Sequence, residues 1–189
     1  AMKDETPNVL SIVPARGTTA GGSDVTITGR FFVSDVALIN VTFGNFPCRI
    51  TSSRVMNLDT ESGLGQLTCI SSASGVTEGG HKYVLVTVQG HGSSLPSTNN
   101  TFWYIDTWSA RTTWGGRAPP TGCGTWHDDK ECKDSVVIPS GQVVLLDVSL
   151  PRFFLILIHG TLIFEDATDL ELSASYILVH KGTMQIGTE

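Results

Sequence analysis

The sequence predicts an all-β protein with two parts, an immunoglobulin-like β-sandwich followed by a short β-solenoid of the parallel β-helix type. Helix signals are nearly absent, and short β-branched runs alternate with clusters of Gly, Pro, Ser and Asn. The pattern of these runs changes after about 105 residues. We therefore expect residues 1–105 and 106–189 to form two domains.

Seven short strands are predicted in the first domain, which is the number typical of an immunoglobulin-like sandwich. One of them, Asp24–Thr28, alternates apolar and polar side chains and ends at Gly29. In chain order, the predicted strands are Val9–Val13, Asp24–Thr28, Ala37–Phe43, Pro47–Ile50, Gln66–Ile70, Tyr83–Val88 and Thr101–Ile105.

Three segments of the second domain begin with glycine and continue with alternating apolar residues. They start at Gly141, Gly160 and Gly182, with spacings of 19 and 22 residues. A period near twenty residues is typical of stacked coils, in which each coil covers the apolar face of the next. A second sandwich is the alternative, because three coils make a short repeat. Stacked coils predict six buried side chains: Val144, Leu146, Ile156, Ile158, Leu162 and Phe164.

The composition excludes several classes of protein. Hydrophobic residues make up 40% of the 189 residues and charged residues 16%, which is unlike a disordered polyelectrolyte. The formal net charge is −6, so we expect no nucleic-acid partner, because binding to a phosphate backbone needs a basic surface. The longest apolar run, 153–158, is far shorter than the ~20 residues of a membrane helix. We therefore expect this chain not to span a bilayer.

The four cysteines favour an oxidising, extracellular setting. By position, Cys48 pairs with Cys69 in the first domain, and Cys123 pairs with Cys132 in the second. No CxxC motif occurs, and no histidine lies at zinc-ligand spacing beside a cysteine, so a structural zinc site is not expected.

Two glycosylation sequons support the same setting, with Asn40 and Asn99 as the acceptors. Asn40 alternates with Val41 and Phe43, so it is expected to face water if those two face the core. The chain starts at Ala1 with neither the basic nor the apolar region of a signal peptide. We therefore expect it to be a piece of a larger protein.

The first domain resembles the IPT/TIG domain, an immunoglobulin-like module shared by plexins and some transcription factors. The resemblance rests on PNVLSIVPARGTTAGGSDVTITGRFF (7–32) and on the cysteine-bearing segments VTFGNFPCRI (41–50) and GQLTCI (65–70). The second domain resembles the eight-glycine domain. Its matching segments are TWGGRAPPTG (113–122), DSVVIPSGQVVLLDV (134–148) and LIHGTLIFEDATDLELSASYILVHKGTMQIGTE (157–189).

An IPT/TIG domain that runs directly into an eight-glycine domain resembles the fibrocystin family. The hyaluronan-binding cell-migration-inducing proteins also carry an eight-glycine domain, but they lack the IPT/TIG module. The resemblance implies a single-pass, receptor-like parent protein at the cell surface, on cilia or stereocilia-like protrusions. Its implied partners are neighbouring domains of the parent chain and an extracellular protein or glycan. The family pattern runs past Glu189 into another strand, so we expect the second domain to be cut short there.

We expect no catalytic, metal or cofactor site in this chain. No G-x-S-x-G motif occurs among the many serines. His159 and His180 flank two of the turn glycines, but aligning Gly160 with Gly182 places His159 opposite Lys181. Because neighbouring residues of a strand point to opposite faces, the two histidines are not expected to converge.

The acidic residues Glu165, Asp166, Asp169 and Glu171 are interpreted as a solvated strand edge. A carboxylate pair or a calcium site is the alternative, but the ligand spacing of an EF-hand loop is missing. Asp169 and Glu171 alternate with two leucines, which is typical of a strand with one wet face.

The candidate interaction site is the loop between Cys123 and Cys132, because loops anchored on a rigid scaffold carry recognition more often than cores do. Its residues Trp126, His127, Asp128 and Asp129 combine an aromatic side chain with polar ones. Three further tryptophans, Trp103, Trp108 and Trp114, are expected to pack between the domains, with a glycan platform as the alternative.

These observations predict a non-enzymatic extracellular module that acts as a spacer and an interaction surface. The alternative is a hyaluronan-binding or hyaluronan-depolymerising role, by resemblance to other proteins with an eight-glycine domain. Residues 106–189 carry a net charge of −5, which would repel a polyanion. DNA binding through the IPT/TIG module is excluded by the charge and by the sequons.

Overall fold

In a computed structural model, the chain is an all-β protein. The structure describes residues 6–55, 64–124, 131–167 and 169–187, and no α-helix occurs within these ranges. The strands are β1 (Asn8–Val13), β2 (Arg16–Gly17), β3 (Asp24–Arg30), β4 (Ile39–Phe43), β5 (Phe46–Val55), β6 (Leu64–Ser71), β7 (Gly80–Val88), β8 (Gly92–Ser93), β9 (Thr101–Tyr104), β10 (Asp106–Thr107), β11 (Ser135–Ile138), β12 (Val143–Leu146), β13 (Leu150–Ile158), β14 (Thr161–Phe164), β15 (Leu172–Val179) and β16 (Thr183–Gln185).

The chain forms two compact units. The first comprises Ala1–Ser74 and His81–Tyr104, and the second comprises Gly75–Gly80 and Ile105–Glu189. The short segment 75–80 therefore belongs to the second unit, although it lies within the sequence of the first. Its backbone is bonded there, since the N–H of Gly79 donates to the carbonyl oxygen of Gly141 at 3.2 Å.

The first unit is built on one sheet with the strand order β1-β3-β6-β5-β4-β7-β9-β2, and β8 pairs with β7. β1 and β2 follow each other in the chain but lie at opposite ends of this order. β1 is antiparallel to β3, whereas β2 is parallel to β9. The sheet is therefore nearly closed on itself.

Alternating side chains fill the core of the first unit. In β3, Val25 and Ile27 are fully buried, while the residues between and beside them are partly or wholly exposed. The rings of Phe43 and Phe102 stack with their centroids 4.5 Å apart. The disulfide Cys48–Cys69 joins β5 to β6 inside the same core. Both of its cysteines are therefore part of the hydrophobic packing.

The second unit contains two parallel sheets, with the orders β10-β12-β14-β16 and β11-β13-β15. From β11 onward, each strand is followed in the chain by a strand of the other sheet. The parallel register stacks like residues, with Ile138 opposite Ile158 and Val144 opposite Leu162. All four of these side chains are fully buried.

Five of the six side chains predicted to be buried are fully buried: Val144, Leu146, Ile156, Ile158 and Leu162. The sixth, Phe164, is half-buried and packs against the same cluster. Gly160 and Gly182 leave no room for a side chain, because backbone atoms of neighbouring segments lie close to their Cα atoms. A Cβ on Gly182 would lie 2.5 Å from the carbonyl oxygen of Gly160, and a Cβ on Gly160 would meet the carbonyl oxygens of Pro139 and Gln142.

Several strand boundaries differ from the sequence prediction. The predicted strand Ala37–Phe43 begins only at Ile39, because a 3₁₀ turn, Val36–Leu38, precedes it. The Asp35 side chain caps that turn by accepting a hydrogen bond from the N–H of Ala37 at 3.0 Å. β5 continues to Val55, beyond the predicted end at Ile50, because it stays paired with β6. The two-residue strands β2, β8 and β10 were too short for the sequence pattern to indicate.

β15 and β16 are the last strands of their sheets. Their side chains are more exposed than the side chains that lie opposite them on β13 and β14. Ile177 is 42% exposed, whereas Ile156, which lies opposite it on β13, is fully buried. Among the described residues, no helix has the length and apolarity that a membrane crossing needs.

Candidate interaction site

The base of the candidate interaction loop is fixed to β13. A disulfide joins Cys123 to Cys132, the pair that position predicts, with 5.4 Å between the Cα atoms. The N–H of Cys123 donates to the carbonyl oxygen of Arg152 at 2.8 Å, and the N–H of Arg152 donates to the carbonyl oxygen of Gly124 at 3.0 Å. Trp126, His127, Asp128 and Asp129 lie outside the described residues.

Both sequon asparagines are exposed. Asn40 lies on β4, where Val41 and Phe43 are fully buried, so its side chain is on the water-facing side of the strand. Asn99 lies in the turn before β9 and is also exposed. The next residue, Asn100, is buried, and its amide donates to the carbonyl oxygen of Val9 at 2.7 Å. Each sequon asparagine is therefore exposed next to a buried residue of the chain.

The structure brings His159 and His180 together, so the prediction that they do not converge is wrong. Their Nδ1 atoms are 3.3 Å apart, and their ring centroids are 5.2 Å apart with the planes nearly perpendicular. The Nδ1 atom of His159 is also 3.0 Å from the backbone oxygen of His180. His180 is exposed and His159 is half-buried.

The two histidines meet because the register of the pair β13 and β15 differs from that of the pair β14 and β16. β13 and β15 pair Ile158 with Val179, whereas β14 and β16 pair Thr161 with Thr183. The later turn thus contains one more residue than the earlier one. Lys181 absorbs this residue in a left-handed conformation, with φ at 58°, so His180 stays opposite His159. Aligning the glycines alone could not reveal this extra residue.

The acidic residues lie in the loop before β15 and not in a strand, which corrects the sequence interpretation. Asp166, Asp169 and Glu171 are exposed and Glu165 is half-buried. The backbone of Glu171 is anchored, because its N–H donates to Ser149 Oγ at 3.0 Å and its carbonyl oxygen accepts from the N–H of Leu150 at 2.8 Å. Within the described ranges, no group of three or more His, Cys, Asp and Glu side chains could bind a metal ion.

Trp108 is a core residue of the second unit, and the half-buried Trp114 packs against this core. Trp108 is fully buried, and its ring centroid is 4.8 Å from that of Trp114 and 6.1 Å from that of Phe153. The indole N–H of Trp114 donates to the carbonyl oxygen of Trp108 at 2.7 Å. The structure thus accounts for Trp108 and Trp114 by packing within their own unit.

Trp103 belongs to an aromatic patch on the outside of the first unit. Its ring stacks on that of His81, with centroids 5.0 Å apart and an interplanar angle of 7°. His81 Nδ1 is 3.2 Å from Thr101 Oγ1. A groove of about 360 Å³, lined by His81, Tyr83, Thr98 and Thr101, lies beside them. Sequence reasoning named Trp103 but missed His81 and Tyr83, although alternation along β7 could have placed these two on one exposed face.

These features define the class as a modular, disulfide-bonded all-β protein. The IPT/TIG domain model matches residues 7–104, and the G8 domain model matches residues 113–189. The chain therefore belongs to the IPT/TIG family and carries a G8 domain after its IPT/TIG domain. Both domain resemblances inferred from the sequence are confirmed.

The chain is also similar to the curated protein Fibrocystin-L. It is 35% identical over 186 residues to the Homo sapiens protein and 37% identical over 187 residues to the Mus musculus protein. Each alignment covers 97% of this chain but 4% of the relative. Among solved structures, the full extracellular region of plexin A4 aligns with a TM-score of 0.39 and 18% identity, over 52% of this chain and 10% of that chain.

Proposed function

We propose that the chain is a non-enzymatic extracellular module of a large, receptor-like protein of the fibrocystin family, acting as a spacer and an interaction surface. The observation that carries this proposal is the alignment with Fibrocystin-L along 97% of the chain. Two disulfides support an oxidising environment. The chain spans about 4% of the length of those relatives, so activities of the whole protein enter here only as proposals.

We assign residues 1–105 to the IPT/TIG domain and residues 106–189 to the G8 domain. For the second domain, we propose stacked coils of the parallel β-helix type. The strands that alternate between two parallel sheets support this, and so does the close contact between Gly160 and Gly182. Stacked coils give a stiff element, which suits a spacer between neighbouring domains.

In this proposal, the module belongs to a cell-surface coat on cilia or stereocilia-like protrusions. Its partners are neighbouring domains of the parent chain and an extracellular protein or glycan. We assign recognition to the loop of Trp126, His127, Asp128 and Asp129, because a disulfide and backbone hydrogen bonds fix the base of that loop on β13.

Secretion of the chain from a eukaryotic host with an added signal peptide tests the extracellular assignment. We expect intact-mass analysis to show N-glycans on Asn40 and Asn99 and non-reducing peptide mapping to link Cys48 to Cys69 and Cys123 to Cys132. Asn40→Gln and Asn99→Gln should each remove one glycan. A secreted protein with no hexose-containing mass, or with a Cys48–Cys123 peptide, would contradict the assignment.

Glycan binding is a second candidate function, and the aromatic patch of the first unit favours it. Sugars stack on aromatic faces, and His81, Tyr83 and Trp103 offer such faces beside threonine hydroxyls. Retention on immobilised hyaluronan at several salt concentrations separates the two functions. We expect no retention, because the chain carries a net charge of −6. Retention that Trp103→Ala abolishes, while Tyr176→Ala leaves it intact, would favour glycan binding instead.

A further inference from the structure

The contact between His159 and His180 brings potential metal ligands close together in the second unit. His159 directly follows β13 and His180 directly follows β15, so the two histidines occupy equivalent positions in successive turns. Their Nδ1 atoms are 3.3 Å apart. The backbone oxygen of His180 lies 3.0 Å from Nδ1 of His159. The Nδ1 atom of His159 thus lies close to two further potential ligands, the Nδ1 atom and the backbone oxygen of His180.

This spacing suits a first-row transition-metal ion. A zinc–imidazole bond is about 2.0–2.1 Å long, so two nitrogens on one tetrahedral ion are about 3.3 Å apart. Imidazole is a preferred ligand of zinc, copper and nickel, and Cu²⁺ binds a given nitrogen site most tightly in this series. The observed separation of the two Nδ1 atoms, 3.3 Å, therefore matches that of two nitrogens bound to one such ion.

The backbone fixes both histidines in this arrangement. The N–H of His159 donates to the carbonyl oxygen of Ile138 at 2.9 Å, and the N–H of His180 donates to that of Ile158 at 2.9 Å. The extra residue of the later turn, Lys181, keeps the two rings in register. Because His180 is exposed and His159 half-buried, an ion can enter from solvent and complete its coordination with water.

We propose that His159 and His180 bind one divalent transition-metal ion, Cu²⁺ or Zn²⁺, through their Nδ1 atoms, with the His180 carbonyl oxygen as a further donor. The ion ties the turn after β13 to the turn after β15 and so stabilises the last strands of the unit. This site does not depend on the proposed function, and the failure of either would leave the other standing.

Titration of the metal-free chain with Cu²⁺, followed by electron paramagnetic resonance, tests the site directly. We expect one tightly bound Cu²⁺ per chain, with a signal that indicates two nitrogen ligands. His159→Ala and His180→Ala should each weaken binding at least tenfold. His91→Ala is the matched control, because it removes an exposed histidine of the first unit, and it should leave binding unchanged.

Thermal unfolding with and without Zn²⁺ gives a second readout, because a ligand that binds only the folded state raises the melting temperature. The increase should occur in the wild-type chain and disappear in both variants, whose circular dichroism without metal should match the wild type. His127→Ala tests whether the loop between Cys123 and Cys132 binds the metal ion instead. Unchanged Cu²⁺ affinity in the His159→Ala, His180→Ala double variant, or loss of binding in His127→Ala, would overturn the proposal.

Discussion

Tyr104 shows how burial controls the chemistry of a single side chain. Its ring is fully buried in the first unit, and its hydroxyl donates to the carbonyl oxygen of Ser72 at 2.9 Å. Desolvation raises the pKa of Tyr104 from 10.0 to about 12, because the buried phenolate would lose its hydration. The folded chain therefore retains a proton that the unfolded chain releases between those two pH values.

This pKa shift predicts a loss of stability at alkaline pH. The stabilising contribution is fully present below pH 10 and is lost as the pH rises towards about 12. At pH 11 the loss is about 1.4 kcal/mol relative to pH 8, if the unfolded tyrosine titrates near 10. Urea unfolding at both pH values should show a smaller loss for Tyr104→Phe. Tyr83→Phe, at a half-exposed ring, should behave like the wild type. Equal losses in all three chains would contradict the burial argument.

A single methyl group at Gly160 should be poorly tolerated. The added Cβ would meet two backbone carbonyl oxygens, which cannot move aside as a flexible side chain could. We expect Gly160→Ala to lower the free energy of unfolding by about 3 kcal/mol, the upper end of the usual cost of overpacking a rigid core. Gly116→Ala is the control, since its Cβ would enter open space and only its left-handed backbone, with φ at 83°, costs about 1 kcal/mol. Equal effects in a denaturant titration would argue against close stacking of the turns.

At the scale of elements, the stacking of strands decides which isoleucines stabilise the second unit. Ile156 and Ile177 lie opposite each other on β13 and β15, but the first is fully buried and the second is 42% exposed. Ile156→Asn should destabilise the unit by several kcal/mol, because it buries an unsatisfied amide and removes packed atoms. Ile177→Asn should cost clearly less, since water still reaches that position. Thermal unfolding that ranks the two variants equally would be inconsistent with this parallel register.

The sequence predicted most strands but not the details that create the histidine pair. Alternation of apolar residues locates β3 and β14 well, because burial of one face is a local pattern. The register of β13 against β15 depends on a one-residue difference in turn length, which the glycine spacing does not resolve. The 3₁₀ turn before β4 depends in the same way on one capping side chain, Asp35.

At the scale of the whole molecule, the charge and the acidic residues argue against cleavage of a polyanionic sugar. General acid–base cleavage of a glycosidic bond needs two carboxyl groups about 5–10 Å apart across a cleft. Asp166, Asp169 and Glu171 are exposed in one loop, and the structure shows Glu171 bonded to its own neighbour, Ser173 Oγ, at 3.0 Å. We therefore expect these carboxylates to be solvated and chemically inactive.

Asp169→Asn should accordingly leave the stability of the fold nearly unchanged. Its side chain is exposed and lies outside the strands, where substitutions usually change stability by less than about 0.5 kcal/mol. A thermal unfolding curve that overlaps with that of the wild type is the expected result. A large shift would assign this carboxylate a structural role that its exposure does not explain.

The most direct test of a non-enzymatic module is the viscosity of high-molecular-weight hyaluronan incubated with the glycosylated chain. We predict that the viscosity stays constant over hours and that size-exclusion profiles of the polymer do not change. A matched incubation with a hyaluronidase confirms that the polymer can be cleaved. Shortening of the polymer by this chain, lost when Asp169→Asn or Glu171→Gln is introduced, would contradict the account and establish a depolymerising enzyme.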